Sequence, residues 1–268
     1  MNDIVLSAHA VVREFGGRRR FFRPPSPTIR AVDDVSLEVP RGRTLGIVGE
    51  SGSGKSTLAR MMVGLLAATA GDILLDGRNV TALLAEDRRA LYRRVQMVFQ
   101  DPLGSLNPRK TVHQILEAPL AKLQRLAPAA RRDRIKELLA LVKLRGEYAD
   151  RHPHEFSGGQ CQRIGIARAL AADPELIVLD EPVSALDVSV QAQILALLAD
   201  LQSRLKLTYV FISHDLAVVE TIANEVAVMQ HGRIVERGPR AQIFADPRHD
   251  YTRLLLASIP GVRRGAGA

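Results

Sequence analysis

Thr44-Leu45-Gly46-Ile47-Val48-Gly49-Glu50-Ser51-Gly52-Ser53-Gly54-Lys55-Ser56-Thr57-Leu58 decides the fold. Residues 44–48 are nearly continuous in apolar side chains, the pattern of a strand buried on both faces. Gly49–Gly54 read as a loop, and Ser56–Leu66 opens a helix. Strand, loop and helix in that order are the context a phosphate-binding loop requires. The glycines among Gly49, Glu50, Ser51, Gly52, Ser53 and Gly54 let successive N–H groups turn inward on a nucleotide's phosphates. The helix N-terminus adds partial positive charge. Lys55 is placed to neutralise β- and γ-phosphate oxygens, and Ser56 to ligate Mg2+ through its hydroxyl; Thr57 is expected to cap the helix on the α-phosphate side. At average residue usage the four fixed positions arise by accident in on the order of 1% of chains this long, before context is counted.

Working outward, short β-type runs alternate with longer helical stretches, which predicts an α/β domain with a largely parallel sheet. Leu176–Leu179 and Thr208–Ile212 share the apolar continuity of residues 44–48, whereas Val32–Val39 alternates and reads as an edge-like antiparallel strand. Ile73–Leu75 and Glu225–Met229 are further short strands, and Gly232–Glu236 closes a hairpin around Gln230-His231-Gly232. Between Asp101 and Glu155 the texture changes: prolines punctuate the stretch, Arg131–Lys143 has helical periodicity, and no convincing strand occurs. It reads as a helical lobe inserted into the core. One helical segment, Tyr251–Ser258, is expected after Pro239, before a disordered Gly/Ala/Arg terminus.

Leu176-Ile177-Val178-Leu179-Asp180-Glu181 ends a buried strand with two carboxylates. Such a strand delivers Asp180 beside the phosphate loop, where open α/β sheets bind ligands. Asp180 would hold Mg2+ through water, and Glu181 would polarise the attacking water as general base. Gln100, at the border between core and lobe, offers a neutral amide that can bind Mg2+ or water weakly and release it. His214 ends another buried strand, where its imidazole could reach the γ-phosphate and the water. His152 and His154 flank Pro153 without an evident third ligand, so no metal pair is expected.

Phe156-Ser157-Gly158-Gly159-Gln160 precedes a helical stretch, Gln162–Ala171. A serine there is explained by capping alone. Two adjacent glycines are not, because they weaken a first helical turn. The hydroxyl and amides of Ser157, Gly158, Gly159 and Gln160 therefore read as a second anion site. One polypeptide cannot easily fold both surfaces around a single nucleotide, so the pair implies two copies meeting face to face across ATP.

Composition narrows the classes. The chain of 268 residues carries a net charge of +8 and no Trp. Its basic clusters, Arg18-Arg19-Arg20 with Arg23 and Arg131-Arg132 with Arg134, interleave no aromatics that could stack bases, so no nucleic-acid function is expected. No run approaches the roughly 18–20 apolar residues that cross a bilayer, and no secretory leader is expected. The lone cysteine, Cys161, excludes an intramolecular disulfide and multi-thiolate metal sites.

These residues resemble the ATP-binding-cassette ATPases over almost the whole chain. Gly49–Thr57 looks like Walker A, Gln100 the Q-loop, Phe156–Gln160 the signature (Phe in place of the commoner Leu) and Leu176–Glu181 Walker B with the catalytic glutamate. Ser184-Ala185-Leu186-Asp187 resembles the D-loop, which brings Asp187 to the nucleotide interface, and His214 the switch histidine. The resemblance implies a P-loop NTPase with a RecA-like core, mainly parallel sheet, an antiparallel β portion and an inserted helical subdomain. Residues 1–268 would form one nucleotide-binding domain: core 1–100 and 165–238, helical subdomain 101–164, tail 239–268. An aromatic near the N-terminus would stack on adenine, Phe15 being the candidate with Phe21 or Phe22 as rivals.

A narrower resemblance rests on Phe99-Gln100-Asp101-Pro102, Ser105-Leu106-Asn107-Pro108-Arg109, Pro153–Arg163, Asp180–Ser189 and the tail motif His249-Asp250-Tyr251-Thr252-Arg253-Leu254-Leu255. These look like the dipeptide/oligopeptide permease ATP-binding subunits, in particular the F-type of a D/F pair. That group implies ATP and Mg2+, a second ATP-binding subunit (a D-type paralogue, or a second copy) and two membrane permease subunits. An extracytoplasmic binding protein would feed peptide import, with this chain peripheral on the cytoplasmic face of the membrane. Nickel-uptake subunits belong to the same group, and a soluble non-transport ATPase is the further alternative. The cysteine cluster some relatives carry for an iron–sulfur centre is missing here, so that cofactor is not implied.

Overall fold

The buried strands of this chain serve two cores at once. In β7 (Leu176–Asp180), Leu176 and Val178 enter one apolar cluster while Ile177 and Leu179 enter the other. In β8 (Thr208–Ser213), Tyr209 and Phe211 face one side, Val210 and Ile212 the other. Successive side chains on a strand point to opposite faces, so an all-apolar run is what a sheet covered on both sides demands. Each such side chain contributes about 1.5–3 kcal/mol by leaving water.

The computed structural model describes residues 3–16 and 28–258. Among the described residues, ten strands form two sheets. The smaller, in the order β2-β1-β4-β5, is antiparallel and comprises β1 (Ile4–Phe15), β2 (Ile29–Pro40), β4 (Ala70–Leu75) and β5 (Arg78–Asn79). The larger, in the order β10-β9-β3-β8-β7-β6, adds β3 (Thr44–Val48), β6 (Val95–Val98), β9 (Glu225–Gln230) and β10 (Arg233–Pro239) to β7 and β8. It is parallel apart from β10, which pairs antiparallel with β9. Fold class and chain order thus agree with the sequence reading. The β9–β10 turn places His231 and Gly232 at φ 47° and 83°, the left-handed pair that a tight hairpin favours.

The helices are α1 (Lys55–Met62), α2 (Val80–Arg94), α3 (Val112–Lys122), α4 (Pro128–Leu141), α5 (Gly158–Leu170), α6 (Val188–Leu205), α7 (Leu216–Ile222), α8 (Arg240–Ala245) and α9 (Asp250–Ala257). α3 and α4 occupy the proline-punctuated stretch after Asp101; Pro128 starts α4 at its first turn, where a missing N–H costs nothing. Three expectations need correction. Among the described residues, the tail holds two helices, α8 and α9, where one was expected. The helix expected from Gln162 begins at Gly158, because Ser157 is already its cap. Thr57 does not cap α1: it lies inside the first turn, and the cap is Gly54. Phe21, Phe22, the first basic cluster and the Gly/Ala/Arg terminus lie outside the described residues.

Candidate nucleotide-binding site

Four neighbouring parallel strands set the site. Register pairs Val48 with Ser213, Asp180 with Ile212 and Val98 with Leu179. The carboxyl ends of β3, β8, β7 and β6 are therefore level, and the residues that leave them stand in a row: the phosphate loop, His214, Asp180-Glu181 and Gln100. This edge is where open α/β sheets place ligands. A cavity of about 620 Å³ opens there, lined by Glu50, Lys55, Ser56, Thr57, Gln100, Glu181 and His214, together with Ala31 of β2 and Leu255 and Ser258 of the tail.

The loop is held by close backbone approach. Gly54 has φ +105°, and a Cβ there would stand 2.0 Å from the Ala31 carbonyl oxygen. No other residue fits. The Gly232 N–H donates to the Ser53 carbonyl at 3.0 Å, so the β9–β10 hairpin braces the loop from outside. Gly54 supplies no side-chain cap to α1, which leaves that helix's first N–H groups to a ligand. Lys55 is 4% exposed. Its ammonium donates to the carbonyls of Gly49 and Glu50, both at 2.7 Å, and burial pulls its pKa below the ordinary lysine value.

Opposite the loop, Ser56 Oγ donates to Asp180 Oδ1 at 2.9 Å. Burial pushes the Asp180 carboxyl above its ordinary value, and the neighbouring Glu181 carboxylate pushes the same way. A hard divalent cation would relieve this carboxylate. Mg2+ is bound by one or two protein oxygens plus water and phosphate, and Ser56 with Asp180, beside the Gln100 amide, fit that donor set. Glu181 turns the chain after β7 at φ +47°, a conformation that costs a non-glycine residue roughly 1–2 kcal/mol. Its N–H still bonds the Ile212 carbonyl at 3.0 Å. Its carboxylate oxygen Oε2 accepts from Gln100 Nε2 at 3.0 Å and lies 3.0 Å from His214 Nδ1. With the carboxylate ionised, His214 Nδ1 carries the proton.

Ser157, Gly158, Gly159, Gln160 and Asp187 do not line this cavity. Ser157 caps α5: its hydroxyl accepts the Gln160 N–H at 3.3 Å, and the Gln160 side chain accepts the Ser157 N–H at 3.0 Å. Gly159 also has a packing reason, since a Cβ there would stand 2.4 Å from Val190 Cγ1 of α6. Gly158 meets only Leu186 Cδ2, at 3.3 Å. Asp187 caps α6, accepting the Val190 N–H at 3.0 Å. Phe15 lies at the end of β1, 41% exposed, with the Arg13 guanidinium 4.8 Å from its ring centroid. It pairs with Ile29, two residues from Ala31 of the cavity wall. Cys161 is buried, its thiol donating to the Pro153 carbonyl, and among the described residues no cluster of three ligand-type side chains occurs. Tyr251, Leu255 and Ser258 were missed as site residues; the tail motif that contains the first two gave no geometric hint.

A family model described as ABC transporter matches residues 32–184. This chain belongs to that family. A second model, described as the oligopeptide/dipeptide transporter C-terminal region, matches residues 235–267. Among curated members, a probable peptide ABC transporter ATP-binding protein of Sinorhizobium fredii is 50% identical over 97% of this chain and 74% of its own length. The dipeptide transport ATP-binding protein DppF of Escherichia coli is 51% identical over 88% and 71%, and the oligopeptide transport ATP-binding protein AppF of Bacillus subtilis 47% over 98% and 80%. A solved dimeric ATP-binding cassette in a post-hydrolysis state, bound to ADP and Pi, superposes with TM-score 0.77 at 28% identity, covering 88% of this chain and 98% of that one. An ABC transporter subunit from Clostridium perfringens gives 0.75 at 26%, covering 91% and 92%. The ABC family thus carries the cavity, and no helix among the described residues is long and apolar enough to cross a membrane.

Proposed function

We propose that this chain is the ATP-hydrolysing subunit of a peptide importer. The relatives' names support peptide as cargo over nickel, and transport over a soluble ATPase. One observation carries the mechanism: the phosphate loop, Glu181 and His214 share one cavity, whereas the Ser157-led helix terminus stands outside it. A neighbouring subunit's Ser157, Gly158, Gly159 and Gln160 complete the γ-phosphate side, and closing the two subunits is what ATP binding drives. The D-loop Asp187 joins that interface, and Phe15, exposed near the Ala31 wall, stacks on adenine.

In the closed assembly Lys55, held in place by the Gly49 carbonyl, turns its remaining donors to the β- and γ-phosphate oxygens. Mg2+, held by Ser56, Asp180 and Gln100, would neutralise phosphate charge. Gln100 and His214 both bind Oε2 of Glu181, so the second carboxylate oxygen is turned to a water. That oxygen takes the water's proton as the water oxygen bonds to the γ-phosphorus and the bond to ADP breaks. Loss of phosphate opens the pair.

Core 1–100 and 165–238, helical subdomain 101–164 and tail 239–268 are the moving parts, with the subdomain hinged near Gln100. A groove of about 390 Å³ beside that hinge, lined by Leu65, Tyr92, Phe99, Pro119 and Leu123, suits a short cytoplasmic helix of a permease subunit. The complex comprises two permease subunits, this chain, a second ATP-binding subunit of D-type and, across the membrane, a peptide-binding protein; this chain sits peripherally on the cytoplasmic face. Reconstitution with permease and binding protein in vesicles tests it: peptide should stimulate ATP hydrolysis and accumulate inside. Hydrolysis indifferent to permease and peptide refutes it.

A further inference from the structure

The tail helix α9 reaches into the phosphate loop. Tyr251 is 6% exposed, and its hydroxyl accepts the Glu50 N–H at 3.0 Å. That N–H belongs to the peptide unit whose carbonyl, Gly49 C=O, accepts the Lys55 ammonium at 2.7 Å. The N–H and C=O of a trans peptide point in opposite directions across one rigid plane. Fixing one end therefore aims the other. Leu255 and Ser258, four and seven residues beyond Tyr251, occupy the same helix face and line the nucleotide cavity.

The helix is clamped from behind. The buried Glu236 carboxylate on β10 accepts the N–H groups of Arg248 at 2.8 Å and His249 at 3.0 Å. The His249 ring accepts the Tyr251 N–H as the helix cap, and Arg253 Nε donates to the Pro247 carbonyl at 3.0 Å. Thr252 is fully buried. α9 thus has one face locked to the core and the other turned to the loop.

We propose that Tyr251 is a positioning residue of the nucleotide site, setting the Gly49–Glu50 peptide that aims Lys55, and that α9 is a wall of that site. The inference rests on the ATPase reading and gives the tail a role within it. Tyr251→Phe keeps the ring's packing and deletes the hydroxyl. Equilibrium binding of a non-hydrolysable ATP analogue with Mg2+ should weaken roughly three- to tenfold, the fold-change of one lost hydrogen bond. KM for ATP should rise likewise with kcat less affected, while the melting point without nucleotide falls by no more than the few degrees one lost hydrogen bond costs. Leu254→Ala, on the exposed side of α9 (Leu254 is 65% exposed), should change neither. In the wild-type chain, the analogue should slow amide exchange across 250–257. Unchanged affinity in Tyr251→Phe, or exchange in α9 indifferent to nucleotide, overturns the proposal. Wild-type protein that binds no nucleotide would instead overturn the ATPase reading. A Lys55→Ala variant that loses binding while Tyr251→Phe keeps it overturns this inference alone.

Discussion

Two helix N-termini in this chain are both introduced by serine and glycine, and they are built to opposite specifications. α1 starts at Gly54, whose left-handed φ and missing side chain leave the helix uncapped. α5 starts at Ser157, and a reciprocal pair of hydrogen bonds with Gln160 satisfies the N–H groups of Gln160 and Ser157 within the chain. An uncapped terminus braced by backbone on two sides is a standing anion site. A capped terminus on the surface is stable alone. Composition does not separate the two; the partner of the first-turn donors does.

The sharpest way to break this contrast is at the chemistry of the α1 side. Glu181→Gln should lower ATP turnover on the order of 10²–10⁴-fold while nucleotide binding persists; full activity, measured by phosphate release, would remove Glu181 as the base. Division of labour between the termini is tested by mixing. Lys55→Ala and Ser157→Ala chains should each be inactive as pure assemblies if each site draws Lys55 from one chain and Ser157 from the other. For a self-paired assembly with independent sites, random mixing leaves roughly a quarter of the sites intact. In a self-paired assembly, hydrolysis that fails to reappear on mixing would mean that Ser157 serves its own chain; in a pair with a D-type partner, the same test uses Ser157→Ala in this chain and the phosphate-loop lysine variant in the partner.

Smaller effects separate packing from ligand contact at α5. Gly159→Ala places a methyl against Val190, which as a β-branched helical residue has little freedom to yield, and should cost about 1–3 kcal/mol by overpacking. Gly158→Ala meets only the far end of the Leu186 side chain, at 3.3 Å, which a small side-chain shift relieves, and supplies a better helix former; thermal melting should show it neutral to about 1 kcal/mol more stable, yet ATPase assays should show it impaired if its amide approaches phosphate. Least of all, Gln160→Ala removes the returning half of the capping box and should lower stability by about 0.5 kcal/mol, a melting shift near the limit of measurement.

Much of this was legible in the chain. Residues 44–48, 176–180 and 208–213 announce themselves because a strand buried on both faces tolerates no polar interruption save Thr44, Thr208 and the functional carboxyl end. β1 was not foreseen: its pairing with β2 shifts register four times, and each irregularity breaks the alternation that marks a strand. α2 was also missed, and its run is broken at Asp87, which has non-helical φ and ψ. The second glycine of the signature looked purely functional in sequence because Val190, its reason for being small, is 31 positions away.

The sequence by itself determined that this chain carries a phosphate loop, two strand-end carboxylates and a second serine–glycine terminus, because those chemistries need particular residue types at short local spacing. Only the tertiary structure decided which of them meet. Strand order and level register put Gln100 and His214 on one oxygen of Glu181, left Ser157 outside the cavity, and folded Tyr251 back 201 positions onto Glu50. Contacts of that kind are fixed by how elements pack, and no local pattern encodes them.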